Sequence, residues 1–171
     1  MLTRSLLTIA KYVCCAVLFG TAFAGQEVSK LDGYGGYKFG MTFQEALAVR
    51  RDVRITNCEY AGVEKCLERD ATIFGEKANI IVQINKAAKR VNQIVIKFDR
   101  IDVPPGSQSC IKTLESIRRQ IIKIYNPAEA KRDGVQTIWY FPRGGRVVLN
   151  NICMTEDRGM IVVTYAETEG L

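Results

Sequence analysis

Apolar and polar residues alternate with a period of two along most of the chain, and two stretches break to a helical period. Ala78, Ile80, Val82 and Ile84 alternate with less apolar neighbours, and after Lys86 to Arg90 the chain returns through Val91, Ile94, Ile96 and Phe98. That pattern predicts an antiparallel hairpin with one buried face. Before it, Val53 and Ile55 lead to Cys58 as one strand, and Leu67 to Phe74 forms another that turns at Gly75-Glu76-Lys77. The last third repeats this grammar. Thr137 to Phe141, Arg146 to Met154 and Met160 to Ala166 read as strands, separated by turns at Pro142-Arg143-Gly144-Gly145 and Asp157-Arg158-Gly159.

Thr42-x-x-Glu45 is a capping box, in which the Thr hydroxyl accepts from the first helical turn while Glu45 reaches back to the cap. Phe43, Ala46, Leu47 and Arg50 then follow helical spacing, so a short helix runs to about Arg51. Asp102-Val103-Pro104-Pro105-Gly106-Ser107 breaks the chain. Ser107 or Ser109 then caps a longer helix to about Tyr125, with an apolar stripe of Ile111, Leu114, Ile117, Ile121 and Ile124 and a Glu115–Arg119 pair. Asn126-Pro127 stops it.

The order is helix then strands, twice. The predicted fold is α+β: two helix-plus-three-strand antiparallel units, residues 38–101 and 107–168, in one domain over 38–171. Gly33, Gly35 and Gly36, interleaved with Tyr34 and Tyr37, predict a flexible arm over residues 25–37.

The N-terminus sets the compartment. Arg4 and Lys11 precede the apolar run Tyr12 to Phe19, and small residues end at Ala22-Phe23-Ala24. This is the layout of a signal peptide over residues 1–24, cut before Gly25. An apolar core of roughly a dozen residues is short of the roughly 20 a bilayer demands, so no transmembrane segment is expected in the mature chain, and a periplasmic or secreted location is. Cleavage removes two cations and no acids, taking Lys+Arg from 24 to 22 against 18 acids, a net charge of +4. That favours acidic surfaces, but no Lys/Arg run with interleaved aromatics points to nucleic acid.

Of the six cysteines, Cys58, Cys66, Cys110 and Cys153 remain after cleavage, an even number for an oxidising compartment. Three pairings are possible, and spacing favours Cys58–Cys66 with Cys110–Cys153. The second would fasten the long helix to the sheet. A zinc site would want C-x-x-C spacing or histidine, and the chain has neither.

The lack of any histidine removes the commonest general base, the usual partner of a nucleophile and the commonest metal ligand. Carboxylate neighbours such as Glu68/Asp70 and Glu156/Asp157 read as solvated faces. Gly33-x-Gly35-Gly36 and Gly144-Gly145 lack the strand-to-helix context of a phosphate cradle. No catalytic residue, metal or cofactor is therefore expected. Binding is the better reading. Trp139-Tyr140-Phe141 puts three aromatics on one strand, so at least one ring points away from the core, and Trp, Tyr and Arg dominate protein interfaces. Tyr60, on the loop closed by Cys58 and Cys66, and Arg143 and Arg146, flanking the glycine turn, complete the candidate contact set for another protein.

Phe39-Gly40-Met41-Thr42, a helix, and then Cys58…Cys66 resemble the secreted β-lactamase inhibitory protein family, and the Gly-Met-Thr start is similar to the small lipoprotein of the barrel-assembly machinery. The resemblance covers about thirty residues. It implies tandem helix-plus-antiparallel-sheet units whose sheet grips another protein. The expected function is a non-enzymatic exported protein that binds, and in one form inhibits, another protein through an open sheet face and loop aromatics. The alternative is an accessory subunit of a cell-envelope assembly.

Overall fold

A computed structural model describes residues 30–58, 61–98, 108–127, 130–133, 135–151, 153 and 160–168. The expected signal peptide (residues 1–24), Tyr60, the break at residues 102–107 and the turn at 157–159 lie outside the described residues.

Eight strands form one antiparallel sheet, and two helices pack on it. In chain order the elements are β1 (Gly33–Tyr34), β2 (Tyr37–Lys38), α1 (Phe43–Val49), β3 (Arg54–Thr56), β4 (Val63–Ile73), β5 (Glu76–Asn85) and β6 (Val91–Phe98). Then come α2 (Gln108–Tyr125), β7 (Ala130–Asp133), β8 (Gln136–Tyr140), β9 (Arg146–Asn151) and β10 (Ile161–Ala166). The large sheet runs β3-β4-β5-β6-β10-β9-β8-β7, and β1 and β2 pair separately. Two meanders of four strands thus meet where β6 pairs with β10, in the register Val163↔Ile96 and Tyr165↔Ile94. Of the eight strands of this sheet, β3–β6 precede α2 and β7–β10 follow it, so each half carries four where units of three were expected, and β7 is the strand that the apolar alternation did not mark. Both disulfides form as the spacing favours, with Cα–Cα separations of 5.6 Å for Cys58–Cys66 and 5.8 Å for Cys110–Cys153.

Thr42 caps α1 as the sequence predicts: its hydroxyl accepts from the Glu45 backbone N–H at 3.3 Å, and the Glu45 carboxylate accepts from the Thr42 N–H at 2.7 Å. In α2 the buried stripe is Cys110, Leu114, Ile117 and Ile121, so Ile111 and Ile124, expected within it, are exposed instead. A helix turns 100° per residue, which carries these two off the line through Leu114 and Ile121. Glu115 pairs with Arg118 at 3.2 Å rather than with Arg119, whose Nε donates to the Glu115 backbone carbonyl.

The principal core lies between the helices and one face of the sheet. It contains Ile80, Val82, Ile94, Ile96, Val147, Leu149, Val163 and Tyr165 from the strands and Ala46, Ile117 and Ile121 from the helices. Odd and even positions of each strand point to opposite faces, so these residues fix which positions face away.

The Gly/Tyr lead, expected as a flexible arm, is a hairpin over its described part. Tyr37 is 1% exposed, and Tyr34 stacks on Tyr165 with ring centroids 4.6 Å apart. The glycines permit the turn: Gly35 and Gly36 both have positive φ. The tyrosines bury enough apolar surface to hold it down. The lead also bridges distant elements, since the Leu31 N–H donates to the Gly144 carbonyl at 3.1 Å and the Gly40 N–H to the Val91 carbonyl at 2.8 Å.

Candidate functional site

The face away from the helices can be read row by row from the strand registers. One row runs Thr56, Cys66, Gln83, Gln93, Ala166, Arg146, Tyr140 from β3 to β8. The next runs Arg54, Glu68, Ile81, Val95, Thr164, Val148, Ile138, Lys131. A third runs Asp70, Asn79, Lys97, Val162, Asn150, Gln136. Neighbours in a row lie about 5 Å apart.

This face is not open throughout, which corrects the expectation of a free sheet surface. Ile81, Val95 and Val162 form a second buried cluster with Cys66, and Cys58 and Val63 pack against it. The Cys58–Cys66 bridge therefore sits against this face and helps close its β4 side. At the rim Arg54 makes a two-pronged pair with Asp70, at 2.9 and 3.2 Å, and Asn79 donates to the same carboxylate. The guanidinium beside Asp70 holds its carboxyl below the usual carboxylate range. Both side chains are largely exposed, so this rim orders the surface more than it stabilises the fold.

Accessible ground lies at the other end of the first row. Tyr140 is 45% exposed, and its register partner Arg146 is exposed as well. Both line a cleft of about 760 Å³, together with Arg90, Asn92, Gln93 and Glu167. Among the described residues the Arg146 guanidinium has no hydrogen-bond or ion-pair partner, whereas the Arg90 Nη1 donates to the Gly40 carbonyl at 2.7 Å.

The walls are fixed by backbone. The Gly145 N–H donates to the Thr168 hydroxyl at 2.8 Å and the Phe141 N–H to the Gly145 carbonyl at 3.1 Å. Gly145 has φ +89°, and a Cβ there would stand 2.7 Å from the Leu31 carbonyl oxygen. Only glycine fits without a shift. The Glu167 N–H donates to the Asn92 carbonyl, extending the β10–β6 ladder into the cleft.

Of the residues the sequence singles out, Tyr140 and Arg146 share this cleft. Trp139 and Phe141 do not face a partner: they are 1% and 4% exposed and belong to the helix-side core. Strand alternation sends them opposite to Tyr140. Arg143 is exposed in the turn and does not line the cleft. Arg90, Gln93 and Glu167 went unsuspected, because the Lys86–Arg90 stretch reads only as a hairpin connection, and the pairing of β6 with β10 leaves no local trace.

A second set of polar groups is internal. Tyr34, Tyr125 and Tyr165 cluster, with Tyr125 and Tyr165 centroids 6.0 Å apart. Burial pushes Tyr125 up to about 12 and Tyr165 well above the ordinary phenol value. Packed in the helix-side layer, these hydroxyls are structural. No group of acids and cysteines among the described residues could hold a metal ion, and no described helix is long and apolar enough to cross a membrane. Comparison with family models, curated proteins and solved structures finds no match to this chain.

Proposed function

We propose that this is an exported, non-enzymatic protein that binds another protein through the sheet face away from its helices, at the end bearing Tyr140 and Arg146. The observation that carries the reading is the cleft beside that row: an exposed tyrosine and, on the adjacent strand, an arginine whose guanidinium has no partner among the described residues, held on a sheet. Aromatic and arginine anchors over a rigid scaffold are what high-energy interface contacts use. The fold reads as two related units, α1 with β3–β6 and α2 with β7–β10, joined at β6 and β10. The resemblance of Phe39–Thr42 and Cys58…Cys66 to β-lactamase inhibitory proteins implies tandem helix-and-sheet units, and on that reading the sheet is the gripping surface. A periplasmic or secreted location fits the cleavable N-terminus and two disulfides.

Capture from envelope extract tests the proposal. Wild-type protein should recover a partner that a folded Tyr140→Ala/Arg146→Ala variant does not. Equal recovery by both would refute the surface. A second reading, an accessory subunit of an envelope assembly, draws on Ile111, Ile122 and Val135, which are exposed beyond the core. A subunit would co-fractionate with a large assembly, whereas a free binder would run as a monomer.

A further inference from the structure

We propose that the cleft between Arg90 and Arg146 takes a carboxylate borne on an acidic segment of the partner protein. This rests on the protein-binding reading above and gives that partner a chemistry.

Among the described residues two guanidinium groups line the cleft against one acid, Glu167. Arg146 carries five N–H donors without a described partner, and Arg90 gives one to the Gly40 carbonyl and keeps the rest. A planar guanidinium matches a carboxylate with two parallel hydrogen bonds. Glu167 decides between anions: it opposes a doubly charged phosphate more than a singly charged carboxylate. Tyr140 and Ala166 flank Arg146 in the same cross-strand row, offering apolar surface to the methylenes of a glutamate stem. Gln93 adds a side-chain amide on the same row. A volume of about 760 Å³ lies in the range of sites that enclose a small ligand, so it suits one or two side chains of an inserted segment.

The site is also preorganised. Arg146 starts β9 directly after Gly144-Gly145, and that turn is clamped by Leu31 from one side and Thr168 from the other. Arg90 follows Lys89, whose ammonium pairs with Glu64 at 2.8 Å, so this neighbouring cation is already engaged. The net charge of +4 expected after cleavage, 22 cations against 18 acids, favours encounter with an acidic surface.

The test is an NMR titration of the disulfide-bonded protein with a blocked heptapeptide containing two central glutamates. Controls are its twin with glutamines and acetate at equal carboxylate concentration. The acidic peptide should shift the Arg146 and Arg90 Nε–H signals and the Gln93 side-chain amide. Its affinity should fall about tenfold or more in Arg146→Gln and rise two- to threefold in Glu167→Gln. Both variants change side chains at the cleft mouth, and unchanged melting temperatures would confirm that they fold. The proposal is overturned if the glutamine peptide shifts the same signals, if Arg146→Gln binds the acidic peptide as wild type does, or if acetate binds as tightly as the peptide. In any of those cases, partner capture that still depends on Tyr140 would leave the protein-binding reading standing.

Discussion

Trp139 and Tyr140 are consecutive residues of β8 with opposite fates: Trp139 is 1% exposed in the helix-side core, and Tyr140 is 45% exposed beside the cleft. Strand alternation alone separates them, and their substitutions should separate too. Trp139→Ala leaves a cavity in the helix-side core and should cost about 3–5 kcal/mol of stability. Tyr140→Ala should stay within about 0.5 kcal/mol and lose partner binding. Urea unfolding of the two variants, paired with partner capture, checks both halves of the expectation.

The two disulfides differ in the loops they close. Cys110–Cys153 spans 43 residues and joins the first turn of α2 to the segment after β9, whereas Cys58–Cys66 spans 8. Loop entropy assigns about 4 kcal/mol to the first and about 2.6 kcal/mol to the second. A Cys110→Ala/Cys153→Ala double variant should therefore unfold at lower urea than Cys58→Ala/Cys66→Ala. Matched denaturation curves measure the order.

Alkaline pH should unfold the protein through its buried tyrosines. The phenols of Tyr34, Tyr37, Tyr125 and Tyr165 are all pushed above their ordinary value, with burial the largest cause in each. Their raised folded values favour the neutral form. The stability they contribute is complete below about pH 10, the unfolded value, and is lost as pH rises through the folded values, which for Tyr125 is about 12. Phenolate absorbance should show these four tyrosines ionising late and together with the loss of near-ultraviolet circular dichroism.

Much of the fold was legible from local signals. Thr42-x-x-Glu45 marks α1, the Leu114–Ile121 spacing marks α2, and Gly75 marks the turn between β4 and β5, which closes at Phe74-Gly75, both with positive φ, one residue ahead of the expected Gly75-Glu76-Lys77. β7 escaped because Ala130-Lys131-Arg132-Asp133 has no apolar alternation. It is an edge strand, with a partner on one side only, and a charged edge resists pairing with other chains. The Gly/Tyr lead was misread because glycine content speaks of backbone freedom, whereas Tyr37 is buried in the core and Tyr34 stacks on Tyr165, more than 100 positions away. The site was half visible. Tyr140 and Arg146 stand near each other in sequence, but Arg90, Gln93 and Glu167 join them only through the β6–β10 register.

The measurement that bears most directly on the central claim is site-specific photocrosslinking in the native envelope, with a photoreactive residue placed in turn at Tyr140, at Gln93 and at Lys112 on the exposed side of α2. Binding through the cleft end of the sheet predicts one common adduct from Tyr140 and Gln93 and none from Lys112. Adducts from Lys112 alone, or none from Tyr140 and Gln93, would contradict it.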